Sequence, residues 1–131
     1  MVEKVDVAEA LKSKPFFKGR SPENEAEAGT AFAQLGTIGA ISNATIFAGS
    51  YQGNTPWERH GEGDELVQAL DGMTRITILT DDGSETHELT AGQFVIVPKG
   101  LWHRFETPEG VTVMTATPQP TDHSTADDPR V

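Results

Sequence analysis

The sequence predicts an all-β fold, a sandwich or barrel of short strands preceded by one short helix. From residue 31 onward, about nine runs of β-forming residues follow one another at short spacing, with turn residues between them and no helical pattern. In the run Thr74–Ile78 the apolar residues alternate strictly, which is the period of a strand with one buried face. The length of 131 residues is that of a single domain whose core needs no covalent cross-links.

An N-terminal segment, residues 1–30, precedes the strands. Residues 6–14 are predicted to form a short helix, because Asp6 can cap it and Val7, Ala10 and Leu11 are apolar at helical spacing. Pro15 ends this helix. Residues 18–30 are acidic and lack any period, so we expect them to form a solvated connecting arm.

The barrel is predicted to span residues 31–117. Its candidate strands are residues 31–35, 44–51, 57–60, 65–70, 74–80, 85–89, 93–97, 102–106 and 111–117. Asp81-Asp82-Gly83 lies between two of these runs and predicts a hairpin turn. Residues 118–131 are polar and rich in proline, so we expect a flexible tail.

The composition excludes several kinds of function. The chain has no cysteine, so it has no disulfides, thiolate metal sites or cysteine nucleophiles. Twenty acidic and ten basic residues give a formal charge of −10, which repels nucleic acids and anionic membranes. The chain has no signal-peptide pattern and no long apolar stretch, so we expect a cytoplasmic protein. The groups left for chemistry near neutral pH are the four histidines, His60, His87, His103 and His123.

Two segments carry a possible metal-binding pattern. Glu58 and His60 are two residues apart in a predicted strand, so their side chains share a face. Glu65 begins the next strand and can lie opposite this pair if the hairpin folds back, and His103 follows a Pro-x-Gly turn. Two histidines and one carboxylate with open coordination positions suit Fe(II), and Mn, Co, Ni or Zn can also use such a set.

These spacings resemble the two sequence motifs of the cupins, a family of small β-barrels. The matching residues are His60, Glu65 and Gly72 in the first motif, and Gly92, Pro98, Gly100 and His103 in the second. The resemblance covers residues 44–117. It implies a cupin-type double-stranded β-helix, also called a jelly-roll barrel, and a divalent transition metal held by His60, Glu65 and His103.

Glu58 stands where the first motif of the family has a histidine. One interpretation makes Glu58 a fourth ligand, giving a site with two carboxylates that prefers harder ions such as Mn or Fe. A second makes it a general base beside the metal and the catalytic residue of the site. A third is that the substitution has weakened metal binding. Two further departures from the motifs are Gln52 in place of a glycine and Thr107 in place of an asparagine.

The residues in phase with the ligands are expected to line a cavity. They are Val67, Ala69, Ile76, Ile78 and Phe105, with Tyr51 and Gln52 at the rim. A mostly apolar lining favours a small organic molecule over a phosphate or a heavily charged metabolite. His87 is expected to be solvated, and His123 to lie in the loose tail.

The resemblance implies a metal-dependent enzyme of the dioxygenase, isomerase or decarboxylase type. The alternative is a non-catalytic cupin that binds or senses a small molecule or a metal, since one fold hosts many functions. A vestigial site is a third option. The resemblance also implies a homodimer, for which Phe16, Phe17 and the strand at residues 31–35 could supply the contact.

Overall fold

The structure, a computed structural model, describes residues 2–36 and 41–131. Its helical elements are α1 (Val7–Leu11), a 3-10 helix (Pro22–Asn24) and α2 (Glu25–Gly29). Its strands are β1 (Phe16–Arg20), β2 (Phe32–Gln34), β3 (Ala44–Asn54), β4 (Trp57–His60), β5 (Glu65–Thr80), β6 (Gly83–Thr90), β7 (Phe94–Val97), β8 (His103–Pro118) and β9 (Thr121–Ser124). The predicted all-β jelly-roll barrel with a short N-terminal helix is confirmed. Residues 37–40 of the predicted barrel range lie outside the described residues.

Strand β8 organises the barrel, because it pairs antiparallel with β3, β4 and β5. One path of paired strands runs β1-β3-β8-β4-β9, and β2 adds to β3. Strand β5 carries β6 and β7 as well as β8. The core lies between these groups of strands. Its buried residues are Tyr51, Val67, Ala69, Ile76, Ile78, Leu89, Val97, Phe105, Val111 and Val113.

Strands β5 and β8 are each continuous where the sequence predicts two short strands. Their pairing is interrupted by register shifts between Ala69 and Asp71 and between Met73 and Arg75. Gly72 lies in this stretch at a φ of +76°, and a Cβ atom there would lie 2.3 Å from the carbonyl oxygen of Gly110. Gly72 and Gly110, which meet at this close approach, allow β5 and β8 to bend together and remain paired.

The N-terminal segment forms more regular secondary structure than its composition suggests. Helix α1 begins after Asp6, whose Oδ1 accepts a hydrogen bond of 3.1 Å from the Glu9 amide. Strand β1, which was not predicted, pairs in parallel with β3 and places Phe17 opposite Tyr51. The first residues of the predicted arm, 18–20, therefore belong to β1, and the chain leaves the sheet after Arg20 to form the 3-10 helix and α2. No helix within the described ranges is long and apolar enough to cross a membrane.

The prediction of a flexible tail over residues 118–131 is wrong for its first part. Pro118 ends β8, and Thr121–Ser124 form β9, which pairs antiparallel with β4. The physical reason is an unpaired edge, since β4 meets β8 at one register pair, Glu58 with His103. Beyond β9, the Trp57 indole donates a 3.2 Å hydrogen bond to the Asp127 carbonyl.

Candidate metal centre

Three predicted ligands meet inside the barrel, each at the end of a strand. His60 is the last residue of β4, Glu65 is the first of β5 and His103 is the first of β8. The Oε1 atom of Glu65 lies 3.3 Å from Nε2 of His60 and 3.1 Å from Nε2 of His103. All three side chains are buried, with His103 fully so. Ligand atoms held about 2.1 Å from one metal lie about 3.0–3.4 Å apart at octahedral or tetrahedral angles.

The converging atoms lack hydrogen-bond partners of good geometry. Nε2 of His60, Oε1 of Glu65 and Nε2 of His103 are all buried and unsatisfied. Leaving such atoms unpaired in the interior costs free energy, so a group that satisfies all three is expected there. Two imidazole nitrogens and a carboxylate oxygen are ligands suited to a divalent transition metal. The residues present therefore fit the metal that the motifs imply.

The opposite sides of these ligands are occupied by hydrogen bonds. Nδ1 of His103 lies 3.0 Å from the Leu101 carbonyl oxygen, which can only accept. Nδ1 therefore carries the hydrogen, and Nε2 offers its lone pair to the site. Nδ1 of His60 lies 3.0 Å from the Thr121 hydroxyl. The Thr117 hydroxyl donates a 2.7 Å hydrogen bond to Oε2 of Glu65.

Glu58 lies beside this group and slightly farther from it. One ligand atom each from Glu58, His60 and His103 lies within 4.8 Å of the others, which forms a second candidate set for an ion. Oε2 of Glu58 lies 4.0 Å from Nε2 of His103, and Oε1 lies 3.9 Å from Nη2 of Arg20. The structure thus brings together all four residues for which the sequence predicts a role at the metal, with Glu65 in the central place.

The two carboxyl groups differ in acidity. Burial raises the pKa of Glu58, and the negative charge of Glu65 adds to this effect while His103 and Arg20 oppose it. Burial also favours a high pKa for Glu65, but the charges of His103 and His60 and the hydrogen bonds that these rings can donate when protonated outweigh burial and lower the pKa to about 2. Glu65 is therefore the permanent anion of the site, and Glu58 is the carboxyl that more readily holds a proton.

A cavity of about 250 Å³ adjoins the candidate ligands. Three residues that the sequence places on it, Tyr51, Val67 and Phe105, do line it. Its other lining residues are Arg20, Glu25, Gly29, Phe32, Phe47, Glu58, His60, Glu65, Val113, Thr115, Thr117, Gln119, Thr121 and His123.

Four other predicted lining residues are not on this wall. Ala69, Ile76 and Ile78 belong to the packed core, where Ile78 pairs in register with His103. Their side chains point to the same face of the sheet as the candidate ligands, as predicted. Sharing that face is not sufficient, however, because position along the strand also decides which side chains reach the cavity. Gln52 faces a surface groove, where its Oε1 accepts a 2.9 Å hydrogen bond from the Gly19 amide.

The N-terminal arm contributes residues to the cavity that sequence analysis missed. The Arg20 guanidinium is buried, lies 4.3 Å from the centre of the Tyr51 ring and is ion-paired with Glu25. This approach depends on Gly53, where a Cβ atom would lie 2.1 Å from the Arg20 carbonyl oxygen. No local sequence pattern indicates that Arg20, in an acidic and aperiodic arm, is buried. The one available indication is Gly53, because a glycine within a run of β-forming residues often marks a place where another backbone segment comes close.

Strand β9 contributes a further part of the wall that was not predicted. Thr121 pairs in register with His60, and His123 pairs with Glu58. Because residues directly opposite in antiparallel strands share a face, both side chains turn toward the cavity. The expectation that His123 lies in a loose tail is thus incorrect, whereas His87 lies exposed on β6 beside Glu85.

Comparisons with known proteins agree with this fold. Among solved structures, the chain is similar to a cupin-2 domain protein from Shewanella frigidimarina, with 23% identity, a TM-score of 0.53, and coverage of 64% of this chain and 78% of that one. A hydroquinone 1,2-dioxygenase solved with Cd²⁺ and 4-hydroxybenzonitrile is 19% identical, with a TM-score of 0.52 and coverage of 63% and 62%. The Bacillus subtilis oxalate decarboxylase, solved in a study of its Mn(II) centres, is 16% identical, with a TM-score of 0.56 and coverage of 62% and 24%.

At these identities the likeness shows the fold alone. The chain spans less than two thirds of the dioxygenase chain and about a quarter of the decarboxylase chain. No curated protein matches the sequence. Residues 50–116, just over half of the chain, match the family model described as the cupin domain. By this match and by its jelly-roll barrel, the chain belongs to the cupin family.

Proposed function

We propose that this cupin binds one divalent transition metal through His60, Glu65 and His103 and acts as a metal-dependent enzyme on a small organic molecule. The observation that carries the proposal is the convergence of three buried atoms without hydrogen-bond partners, two nitrogens and one oxygen, beside a cavity. When bound, such a metal supplies Lewis-acid chemistry and open positions for a substrate or O₂.

The residues of the chain define what such a substrate is like. A cavity of about 250 Å³ lies just below the usual range for small-molecule sites, so it suits a compact ligand. Phe32, Phe47, Phe105 and Val113 provide apolar contact with such a molecule.

Glu58 is the residue that we propose to move protons. It lines the cavity, and its raised pKa allows it to hold and release a proton closer to neutral pH than an ordinary glutamate does. The nearby Arg20 opposes this shift and favours the charged, proton-accepting form. A dioxygenase and a decarboxylase occur among the structures of similar fold, so these reactions, with isomerisation, are the first to test.

The alternative is a non-catalytic protein that binds or senses a small molecule or a metal. One contact favours it: Oε1 of Glu58 lies 3.9 Å from Nη2 of Arg20, and this attraction can keep the carboxylate away from a bound ligand. In that case the site holds a metal and a ligand but has no free base.

Metal content and two variants test these functions. The untagged protein is purified, loaded with Fe, Mn, Co, Ni or Zn, and analysed by mass spectrometry for metals. We expect about one equivalent, and less than about a tenth of an equivalent after loading would contradict the proposal. His60→Ala should empty the site. Glu58→Gln should retain the metal and alter turnover and its pH profile if Glu58 is a base, or lower metal affinity if Glu58 is a ligand.

We also propose that the protein is cytoplasmic and forms a homodimer, with the N-terminal segment at the contact. Within the chain, Phe17 packs against the core and β2 pairs with β3, which leaves Phe16 as the half-exposed apolar residue of the predicted contact. Deletion of residues 1–30 should give a monomer or an aggregate by light scattering. A well-behaved dimer after this deletion would contradict the proposed contact.

A further inference from the structure

Two threonines near the end of β8 and in β9 touch the outer atoms of the proposed ligands. The Thr117 hydroxyl lies 2.7 Å from Oε2 of Glu65, and the Thr121 hydroxyl lies 3.0 Å from Nδ1 of His60. Both follow residue 116, where the match to the family model ends. We propose that Thr117 and Thr121 are positioning residues that direct Glu65 and His60 toward the metal. This inference rests on the proposed function and specifies how this chain completes the site.

The direction of the hydrogen bonds around Thr117 is fixed by chemistry. An ionised carboxylate can only accept, so the Thr117 hydroxyl donates to Oε2 of Glu65. Its single hydrogen is then used, so Thr115, whose hydroxyl lies 2.8 Å away, donates to Thr117. This chain of two hydroxyls engages Oε2 and leaves Oε1 for the site. Glu65 therefore offers one oxygen, in a fixed orientation, to a metal.

Thr121 has a different effect, because a hydroxyl can donate or accept. A metal on Nε2 of His60 requires the hydrogen on Nδ1, and the Thr121 oxygen is placed to accept it at 3.0 Å. The equivalent acceptor for His103 is the main-chain carbonyl of Leu101, which no side-chain substitution removes. Among the proposed ligand histidines, His60 is thus the one whose ring orientation depends on a replaceable side chain.

The pairing of β9 with β4 holds Thr121 in this place. His60 and Thr121 are register partners, and the neighbouring pair Arg59 and Asp122 forms an exposed ion pair of 3.0 Å. The Trp57 indole anchors the segment that follows through the Asp127 carbonyl. A fixed register places the hydroxyl opposite the imidazole, so β9 supports the site in addition to covering the edge of β4.

Metal affinity tests the inference without knowledge of the substrate. Co²⁺ is titrated into the wild-type protein and the variants Thr121→Val, Thr121→Ser, Thr117→Val and Thr117→Ser, with a chelator as competitor. Each valine variant should bind Co²⁺ about 10–100-fold more weakly, and each serine variant should recover most of this loss. The visible spectrum of bound Co²⁺ should change in the valine variants, because the ligand geometry changes.

Thr112→Val is the matched control. Thr112 lies on β8 and shares a 2.7 Å hydroxyl contact with Ser50, but it does not line the cavity. It should leave Co²⁺ affinity unchanged, and an equal loss in this control would overturn the inference. Valine variants that bind Co²⁺ like the wild type would overturn it while leaving the proposed function intact. A wild-type protein that binds no Co²⁺, Fe²⁺ or Mn²⁺ would instead overturn the proposed function, and the inference with it.

Discussion

Nε2 of His103 lies 3.1 Å from Oε1 of Glu65, and both atoms are fully buried in the barrel. The hydrogen on Nδ1 of His103 is used by the Leu101 carbonyl, so Nε2 faces the carboxylate with its lone pair in the neutral imidazole. A lone pair and a carboxylate oxygen at this distance repel each other. A proton or a cation between them removes the repulsion, so a metal and a proton are expected to compete for this position.

Removing His103 should abolish stoichiometric metal binding. His103→Ala leaves His60 and Glu65 with one nitrogen and one carboxylate, too few ligands to compete with water for the ion. Metal content after loading and dialysis is the measurement. His87→Ala is the control, because His87 is exposed on β6 and should have no effect. Wild-type metal content in the His103 variant would contradict the ligand assignment.

Metal removal should destabilise the protein. A ligand that binds the folded state alone adds about 2.7 kcal/mol to the free energy of unfolding at a concentration 100 times its dissociation constant. Urea unfolding with excess Co²⁺ and with a chelator measures this difference. His60→Ala should unfold at the same urea concentration under both conditions. A wild-type protein that shows no such difference would disagree with metal binding in the folded state.

Metal affinity should fall as the pH is lowered. Burial favours a low pKa for His103, but the hydrogen bond that the protonated ring donates to Glu65 and the charges of Glu65 and Glu58 outweigh burial and raise the pKa above its ordinary value. In the metal-free protein the protonated form therefore persists to higher pH, and the metal has to displace that proton. Below this pKa, Co²⁺ affinity should rise about tenfold per pH unit for each proton displaced, and it should level off above.

The pH dependence is measured by competition titration at a series of pH values. His87→Ala is again the control and should follow the wild-type curve, because its imidazole is exposed on β6 and is not among the groups that raise the pKa of His103. An affinity that does not depend on pH would mean that no proton is displaced and would contradict the assignment of His103 as a ligand.

Loss of Arg20 should destabilise the arm and the cavity wall. Arg20→Met keeps part of the apolar stem but leaves Glu25 without its cation, and breaking a buried ion pair costs about 3 kcal/mol. Chemical unfolding measures this loss. Arg75→Met is the control, because its ion pair with Glu88 is exposed and should contribute less than about 1 kcal/mol. If both substitutions lowered the free energy of unfolding equally, the ion pair of Arg20 would not stabilise the fold more than an exposed one does.

Much of the barrel could be predicted because its strands have one buried face. The alternation of Ile76 and Ile78 is seen directly in β5, and the turn before Gly83 joins β5 to β6 as expected. Strands β1 and β9 could not be found in this way. Both are short, β1 has two adjacent phenylalanines without alternation, and β9 is wholly polar. They form because β3 and β4 offer edges to them, which is a tertiary effect.

The candidate ligands could be predicted because motif spacing fixes strand ends. His60, Glu65 and His103 each stand at such an end, so the barrel brings them together. Arg20 and Thr121 come from segments far from these motifs in sequence, and neither carries a local pattern. Their positions depend on which strand edges the rest of the barrel leaves unpaired, and that depends on the whole sequence and not on a local motif.

The contact between Thr121 and His60 also bears on how the protein folds. These residues are 61 positions apart, so their contact closes a long loop, whereas the β5–β6 hairpin closes a turn of a few residues. Hairpins form within microseconds, and sheets dominated by distant pairings form over milliseconds to seconds. During refolding the hairpin should therefore precede the metal site, and the visible spectrum of captured Co²⁺ should appear after the hairpin has formed.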